Sequence, residues 1–284
     1  MEYLFRDAGG NAFDAEDIFK NLKKVGADDC ETLFIHSDVM FGAPAPGFSR
    51  KQYLNILYQV IKNLGVKNII VPTFTYSFCN GEIYDVNKSK TTMGAFNEFV
   101  RNQENRYRTM DPLLSLSVPC ELKERFQKLG EHSLGENSGL DLLHHMDGVK
   151  FLFLGAQLGN CFTYVHYVEK MLDVPYRFDM PFTGNVIDES GNKAETTQYM
   201  HTACYGVKTA DYYYFEDYLE EKGFFHREKL GEKTVACLSE KDAYREIVQM
   251  IEKDINYFLE VPFHERDLIH KYTHGIHGER ITHC

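Results

Sequence analysis

The sequence predicts an α/β fold in which a sheet of mixed or mostly parallel strands lies between layers of helices. Short apolar runs indicate buried strands, amphipathic stretches at helical spacing alternate with them, and the first of these units come in the order strand, helix, strand. That order is the βαβ pattern of parallel sheets. A chain of 284 residues suits one large or two smaller domains, and we expect a single domain over 1–284.

The N-terminal quarter contains the clearest elements. An amphipathic helix is expected over residues 14–25, and residues 33–35 predict a short buried strand. Residues 49–52 have the form of a capping box, so a second helix with one apolar face begins there. Residues 68–71 predict the next strand, which ends at Pro72. Together these segments form the predicted βαβ unit.

Further elements are predicted in the second half of the chain. Residues 151–154 predict a third buried strand, and residues 163–171 predict the helix that follows it. Another helix is expected over residues 211–223, and Ser239 caps the last helix. The third strand and its helix continue the alternation of strand and helix.

Between these elements the periodicity weakens. Residues 73–150 are expected to form a loop-rich substrate-binding region with one short helix over 94–101, because long irregular segments of a compact domain are usually functional. Residues 172–207 also look like loop. Residues from about 270 to 284 are expected to form a mobile tail.

The composition narrows the classes of partner. The formal charge of -11 argues against nucleic acid and against a basic membrane-binding patch, and it suits a cationic small substrate. No stretch approaches the roughly 20 apolar residues of a membrane span, and the N-terminus lacks a signal-peptide pattern. We therefore expect a cytoplasmic protein without a membrane partner. The scattered cysteines, with no C-x-x-C pair, indicate reduced thiols.

Chemistry is most strongly indicated just after the third strand, by Thr163, His166 and Glu169. Residues three apart are neighbours on a helix surface, so these side chains share one face. A histidine beside a carboxylate holds a fixed tautomer and can remove a proton from a nucleophile near neutral pH. Ligands of α/β proteins also collect where strands end and helices begin. The alternative is a chance His-x-x-Glu pair on a solvated helix.

A polar turn follows the first strand. His36, Ser37 and Asp38 lead through Val39 to Gly42, and the backbone amides of this turn could bind an anion or polarise a carbonyl group. The alternative is that the side chains of His36 and Ser37 form hydrogen bonds with backbone groups at the end of their own strand. By either interpretation the turn borders the predicted crevice.

Three more groups border the same crevice in the predicted fold. Thr75 and Tyr76 lie in a hydroxyl-rich segment after the second strand. Glu98 lies on the short helix that follows, where the alternative is a simple surface charge. The next loop offers a cation, two hydroxyls and a carboxylate, from Arg108, Thr109, Asp111 and Ser115.

Taken in order, these elements resemble the aminoglycoside 3-N-acetyltransferase family, also called the antibiotic acetyltransferase family, over roughly residues 30–250. The family's run is an H-S-S/D strand end, a P-T-F-S/T strand end, a G-x-x-x-E-x-F-R helix, an R-S/T-x-H-P-x-x-S loop and T-x-x-H-x-x-E. The matching segments are residues 36–38, 72–75, 94–101, 108–115 and 163–169. The resemblance implies the family's fold, a three-layer α-β-α arrangement around the sheet.

The resemblance also implies an activity, the direct transfer of an acyl group from acetyl-CoA or another short acyl-CoA to an amine of an amino sugar. His166 would be the general base, and Glu169 would orient it and stabilise the imidazolium. Cofactor contacts are implied for His36, Ser37, Asp38, Val39, Gly42, Arg108 and Ser115. Substrate contacts are implied for Thr75, Tyr76, Glu98, Asp111 and Thr163.

One departure from the family concerns the acceptor. The family loop usually carries histidine before its proline, whereas this chain has Asp111 there. A carboxylate at this place can bind a sugar hydroxyl or an ammonium, or assist His166 as a third catalytic residue. Aromatic side chains can also stack a nucleobase, and the central region offers Tyr76, Tyr84 and Tyr107. We therefore expect a nucleotide-linked amino sugar as the acceptor.

Three alternatives stay open at this point. One is an aminoglycoside-resistance acetyltransferase, the second is a hydrolase that activates water with His166 and Asp111, and the third is a non-catalytic small-molecule binder. A homodimer also stays open. Cys161 is expected to pack rather than to carry an acyl group. No metal is expected, since no clean ligand pattern joins the C-terminal histidines His264, His270, His274, His277 and His283.

Overall fold

The structure is a computed structural model that describes residues 3–76 and 78–271. Most of the segment expected to form a mobile tail, residues 272–284, lies outside the described residues, together with His274, His277 and His283. Within the described ranges, no helix combines the length and the apolar character needed to cross a lipid bilayer.

Thirteen strands and nine α-helices are formed by the described residues. The strands are β1 (Phe5–Arg6), β2 (Ala12–Phe13), β3 (Thr32–Ser37), β4 (Ala43–Pro44), β5 (Asn68–Pro72), β6 (Tyr84–Asp85), β7 (Arg106–Arg108), β8 (Leu116–Pro119), β9 (Val149–Leu154), β10 (Arg177–Ile187), β11 (Lys193–Ala203), β12 (Phe225–Leu230) and β13 (Lys233–Ser239). The helices are α1 (Ala15–Lys24), α2 (Arg50–Lys62), α3 (Ala95–Arg101), α4 (Lys123–Phe126), α5 (Gly139–His144), α6 (Leu158–Cys161), α7 (Tyr164–Met171), α8 (Tyr213–Glu221) and α9 (Glu240–Lys253).

A mixed seven-stranded sheet forms the centre of the fold, in the order β12-β13-β9-β3-β5-β8-β7. Its inner strands β9, β3 and β5 run parallel, as the βαβ pattern predicts. The hairpin β12–β13 adds to one side, where β13 pairs antiparallel with β9. On the other side β8 pairs antiparallel with β5, and β7 pairs antiparallel with β8. The α/β class is confirmed, and the sheet is mixed rather than mostly parallel.

Alternation along β3 assigns the two helical layers, because successive side chains of a strand point to opposite faces of the sheet. Leu33 and Ile35 belong to the apolar cluster that also contains the buried faces of α1, α2 and α3. Phe34 belongs to the other cluster, with the buried residues of α5, α7, α8 and α9. The sheet therefore lies between two helical layers, which confirms the predicted α-β-α arrangement.

Two helices begin at the predicted caps. Ser49 accepts a hydrogen bond from the amide of Gln52, and the Gln52 side chain accepts one from the amide of Ser49, which is the predicted capping box. Ser239 caps α9 by accepting from the amide of Asp242. Each cap satisfies an amide that has no partner inside its helix.

The interpretation of residues 172–207 as loop is wrong. β10 and β11 form a long antiparallel hairpin, in which Arg177 pairs with Ala203 and Ile187 pairs with Lys193. Much of each strand is only partly buried, and neither strand has one face that is consistently buried. The hairpin sequence therefore lacks the strict alternation of apolar and polar residues by which a strand is recognised. This hairpin supplies side chains to the candidate active site.

Other strands were also not predicted. Within the region 73–150, β7 and β8 widen the central sheet, although they span only three and four residues. The hairpin β12–β13 completes the other edge. Strands this short carry little periodic signal, and their place in the sheet depends on pairing with distant residues.

Candidate active site

A cavity of about 420 Å³ lies close to the carboxyl end of β9. The loop after β9, the start of α7, the hairpin β10–β11 and the segment before α8 all contribute to its wall. Apolar surface comes from Met93, Leu114, Leu134, Phe162 and Met200. Polar side chains come from Tyr76, Thr163, His166, Arg177, His201, Thr209, Asp211 and Tyr212. Three predicted site residues, Tyr76, Thr163 and His166, therefore share one cavity.

The pair of His166 and Glu169 is held at the inner end of this wall. His166 Nδ1 lies 2.7 Å from Glu169 Oε2, a hydrogen bond across one turn of α7. Tyr176 donates a hydrogen bond of 2.8 Å to Glu169 Oε1, and Arg177 Nε lies 2.6 Å from Oε2. Burial alone would raise the pKa of Glu169, but Arg177 and His166 outweigh it and lower this pKa to about 2. Glu169 is therefore a carboxylate near neutral pH.

The contacts of His166 assign its protonation state. An anionic Glu169 accepts the Nδ1–H, so Nε2 carries the lone pair, and Arg177 Nη2 lies 3.5 Å from it. Burial and then the Arg177 charge lower the pKa of His166, while Glu169 acts in the opposite direction. His166 is thus a neutral imidazole with its basic nitrogen on the side of Arg177, ready to accept a proton.

Arg177 also connects the helix to the hairpin. Besides its contact with Glu169, it donates hydrogen bonds to the His201 carbonyl oxygen at 3.3 Å and to Thr209 Oγ1 at 3.0 Å. These bonds link α7, β11 and the segment before α8, which form three sides of the cavity. Arg177 therefore fixes the position of the carboxylate on which the histidine depends.

Two glycines allow the chain to turn from β9 into α7. Gly155 has a φ of +75°, and a Cβ at this position would lie 2.1 Å from a carbonyl oxygen of the loop after β3. At Gly159 a Cβ would lie 2.6 Å from the ring of Tyr213, and the Gly159 amide donates to Glu216 at 3.1 Å. Larger residues at either place would displace the segment that leads into α7.

With this geometry established, the relation of the chain to known proteins is clear. A sequence model described as aminoglycoside 3-N-acetyltransferase matches residues 35–252, which is more than half of the chain. This chain belongs to the aminoglycoside 3-N-acetyltransferase family. The predicted family and the predicted enzyme class, an N-acetyltransferase, are confirmed. No curated protein sequence matches the chain.

Solved structures with the same fold include several acetyltransferases. Aminoglycoside acetyltransferase AAC(3)-IVa, as an apoenzyme, is 17% identical with a TM-score of 0.70, over 95% of this chain and 96% of that chain. YokD protein from Bacillus subtilis is 18% identical with a TM-score of 0.68, over 85% and 94%. AAC-IIIb, in a binary complex with CoASH, is 16% identical with a TM-score of 0.68, over 88% and 98%. At these identities the likeness establishes a shared fold.

In this fold the turn after β3, from His36 to Gly42, makes mostly contacts with other parts of the protein. His36 is buried and stacks on Phe153 with ring centroids 5.1 Å apart, and burial lowers its pKa to about 3. Ser37 donates to Asn97 at 2.7 Å. His36 is therefore a neutral residue of the core outside the cavity lining, and its role in cofactor binding stays a prediction.

The rest of that turn is anchored in the same way. Asp38 pairs with Lys233, and the Val39 carbonyl oxygen accepts a hydrogen bond of 3.0 Å from Tyr53. At Gly42 a Cβ would lie 2.2 Å from the carbonyl oxygen of Arg6, so this residue serves the close approach of two backbone segments. Asp38 is exposed and Val39 is partly exposed, so this turn can meet a ligand only at its outer surface.

Arg108 and Ser115, the other expected cofactor residues, lie in the interior. Arg108 Nε lies 3.2 Å from both Thr73 Oγ1 and Ser115 Oγ, Nη2 donates to the Thr73 carbonyl oxygen at 2.6 Å, and Nη1 donates to the Ser89 carbonyl oxygen at 2.5 Å. Ser115 donates to the same Thr73 oxygen at 2.8 Å. Each nitrogen of this guanidinium has an internal acceptor, so Arg108 ties β7 and β8 to the segment after β5. Its expected role in cofactor binding stays a prediction.

Asp111 is also directed into the protein. Its Oδ1 accepts hydrogen bonds from the amides of Leu113 and Leu114 at 2.8 and 2.9 Å, and from the Ser133 hydroxyl at 2.9 Å. Burial raises the pKa of Asp111, although these three bonds oppose the shift. Asp111 is absent from the cavity lining, whereas Leu114 is part of it. These contacts indicate that Asp111 supports the cavity wall, and its expected assistance to His166 stays a prediction.

The remaining predicted substrate residues are divided. Thr75 is buried and donates to the Pro112 carbonyl oxygen at 3.1 Å. Glu98 forms an ion pair of 2.6 Å with Arg101 and lines a separate groove of about 930 Å³ between α2 and α3. Only Tyr76 and Thr163 of the predicted substrate residues reach the cavity of His166.

Cys161 lies in the cavity wall but is a poor nucleophile. Its thiol donates to the Gln157 carbonyl oxygen at 3.0 Å, and burial raises the pKa of the thiol. A protonated thiol is not an effective acyl acceptor. This geometry agrees with the expectation that Cys161 packs rather than carries an acyl group.

Of the polar residues named for this cavity wall, sequence reasoning missed five, namely Arg177, His201, Thr209, Asp211 and Tyr212. Arg177 and His201 lie on β10 and β11, in the segment interpreted as loop, and Asp211 and Tyr212 precede α8. The sequence did contain one indication of Arg177. A buried carboxylate such as that of Glu169 needs a cation or several hydrogen-bond donors, and Arg177 is the arginine that follows soon after its helix. Nothing local indicated His201.

Proposed function

We propose that this family member transfers the acetyl group of acetyl-CoA to a primary amine of an aminoglycoside-type amino sugar, with His166 as the general base. The observation that carries the proposal is the neutral His166, whose Nδ1 lies 2.7 Å from an anionic Glu169, in the wall of a cavity of about 420 Å³. Family membership implies the donor, and AAC-IIIb, which has the same fold, is described in complex with CoASH.

Two features of the cavity suit the acetyl end of this donor. The Thr163 hydroxyl makes no capping hydrogen bond with α7, so it can donate to a carbonyl oxygen of a ligand. Phe162 and Met93 provide apolar surface for a methyl group. When bound, acetyl-CoA supplies an activated acetyl group and a thiol leaving group.

The chain's own residues manage the proton. An amine that enters as ammonium has no lone pair for attack, so His166 Nε2 must first take its proton. Meanwhile the Nδ1–H of His166 keeps its hydrogen bond to Glu169. The resulting imidazolium is stabilised by the Glu169 carboxylate and destabilised by Arg177. His166 therefore accepts a proton and releases it readily, with Nε2 as the atom that holds it.

Charge at the rim of the cavity favours a cationic acceptor. Asp211 is an exposed carboxylate in the cavity wall, and the whole chain carries a formal charge of -11. Amino sugars with several ammonium groups would be attracted by both. Asp211 is thus the residue that we assign to the first encounter with the amine.

A nucleotide-linked acceptor has less support than an aminoglycoside-type one. Of the tyrosines expected to stack a nucleobase, Tyr84 is fully buried and donates to the Thr109 carbonyl oxygen at 2.8 Å. Tyr107 is also buried, and only Tyr76 lines the cavity. The matched family model names an aminoglycoside activity, which favours the aminoglycoside alternative.

The proposal is tested by thiol release from acetyl-CoA with a panel of aminoglycosides and nucleotide-linked amino sugars. We expect acetylation of aminoglycosides, and His166→Ala should lower kcat by about 100- to 10,000-fold while acetyl-CoA still binds. His226→Ala, at an exposed position of β12, is the matched control. Unchanged turnover of His166→Ala would remove His166 as the base, and thiol release without any amine would instead support a hydrolase.

A further inference from the structure

The same cavity contains a second histidine that is held by a carboxylate. His201 lies on β11 directly opposite Asp179 on β10, and its Nδ1 is 3.0 Å from Asp179 Oδ1. His201 is part of the cavity wall, as is His166. The two pairs are connected through Arg177, which contacts Glu169 and donates to the His201 carbonyl oxygen.

Asp179 is held firmly in its anionic form. Lys170 Nζ lies 2.6 Å from Asp179 Oδ2, and His132 Nδ1 lies 3.2 Å from the same oxygen. Burial would raise the pKa of Asp179, but the hydrogen bonds from Lys170 and His201 outweigh it and lower this pKa. An anionic acceptor that also bonds to Lys170 fixes the proton of His201 on Nδ1.

The other ring nitrogen of His201 is left without a partner. Nε2 is buried, and no described residue forms a hydrogen bond with it. Since Nδ1 carries the proton, Nε2 is an acceptor with a free lone pair in a residue of the cavity wall. Buried polar atoms of native proteins are nearly always paired with protein, water or ligand, so an unpaired acceptor in a residue of the cavity wall is a candidate for a ligand contact.

We propose that His201 Nε2 accepts a hydrogen bond from an N–H or O–H group of the acceptor amino sugar, so that Asp179 and His201 form an acceptor-binding subsite. This inference depends on the proposed function, because it names a specificity residue for the same cavity. The ligand group must be a donor, since the fixed tautomer offers only a lone pair. A hydroxyl or ammonium next to the reacting amine has the required chemistry.

Binding, rather than proton transfer, is the role that the surroundings of His201 favour. Burial is the main cause that lowers the pKa of His201 to about 4, although the hydrogen bond to Asp179 opposes it. The charges of Arg177 and Lys170 also oppose formation of an imidazolium. A proton would therefore remain on the substrate donor while it bonds to Nε2.

The test compares His201→Phe, which keeps a planar ring but has no acceptor, with His201→Gln, whose amide oxygen can replace Nε2. We expect His201→Phe to raise the KM for the amine by about 10- to 100-fold, with kcat and the KM for acetyl-CoA nearly unchanged. His201→Gln should recover part of the loss. His226→Phe, at the exposed position on β12, should behave like the wild type.

Acceptor analogues identify the bonded group. A deoxy or deamino analogue that lacks the donor should bind the wild type and His201→Phe equally well, as measured by calorimetry without acetyl-CoA. Thermal unfolding establishes that the variants are folded, and if His201→Phe does not fold, the smaller His201→Gln and His201→Leu pair provides the same comparison.

The outcomes separate this inference from the proposed function. If the wild type acetylates amines and a folded His201→Phe keeps the same KM for the amine, the subsite is refuted and the proposed function stands. A fall in kcat without a change in KM would also refute a binding role. If the wild type neither binds nor acetylates any amine of the panel, both proposals fail.

Discussion

The two histidine–carboxylate pairs of the cavity differ in what surrounds the carboxylate. Glu169 is fully buried and shares one oxygen between His166 and Arg177, with Tyr176 on the other. Asp179 is partly exposed and is contacted from outside the cavity by Lys170. A buried anion interacts more strongly with an imidazolium than a solvated one does. The comparison is consistent with the roles that we propose, proton transfer for the first pair and substrate binding for the second.

The largest effect is expected from neutralising the buried carboxylate. Glu169→Gln removes the anion that stabilises the His166 imidazolium, so kcat should fall by about 100- to 1,000-fold. It also leaves Arg177 buried without its counter-ion, which should lower the free energy of unfolding by about 3–5 kcal/mol. Steady-state kinetics and urea unfolding measure the two effects, and a kcat within a few-fold of wild type would remove the distinction between the pairs.

Acid unfolding measures the buried anion without kinetics. The folded-state pKa of Glu169 is lowered to about 2, from an ordinary value of 4.5. Its stabilising contribution is therefore complete above about pH 4.5 and is lost as the pH falls towards 2, a loss of about 3 kcal/mol. Urea titrations across this range should show a smaller pH dependence in Glu169→Gln, and identical slopes would contradict the lowered pKa.

Removing the arginine between the pairs should shift the pH profile. Arg177 lowers the pKa of His166, so Arg177→Met should raise it and move the acid limb of kcat/KM to higher pH. At the pH where the wild type is half active, the variant should lose about 10-fold in kcat/KM. Arg177→Lys, which keeps the charge, is the control. If the acid limb of Arg177→Met moved to lower pH instead, the claim that Arg177 lowers the pKa of His166 would be contradicted.

A smaller effect is expected at the second carboxylate. Asp179→Ala removes the acceptor that keeps the His201 proton on Nδ1, so in part of the molecules the proton lies on Nε2 instead. The KM for the amine should therefore rise by about 5- to 10-fold, with kcat nearly unchanged. Asp179→Asn retains an acceptor for the Nδ1–H and should lie between this variant and the wild type. If Asp179→Ala lost as much kcat as Glu169→Gln, the two pairs would not have separate roles in binding and proton transfer.

The contrast between the pairs also explains how much the sequence could predict. His166 and Glu169 are three residues apart on one helix, so their contact follows from helix geometry alone. Asp179 and His201 are twenty-two positions apart in the chain and meet only because the register of β10 and β11 places them opposite each other. Register depends on which face of a hairpin is buried, and this hairpin has weak alternation.

The predicted polar residues outside the cavity illustrate a second limit. Arg108 and Asp111 were assigned to a family loop by resemblance, and in the structure their donors and acceptors bond to backbone groups of neighbouring segments. A polar residue type identifies what a side chain can bond to, and the packed structure determines whether the partner is a ligand or the protein. The fold class, the helix caps and the His166 pair needed no such information.

The most direct test measures kcat and the KM for the amine side by side in His166→Ala and His201→Phe. We predict a fall in kcat of about 100-fold or more with little change in KM for the first variant. For the second we predict a rise in KM of about 10-fold or more with little change in kcat. The opposite assignment, with kcat lost in His201→Phe and retained in His166→Ala, would contradict the account.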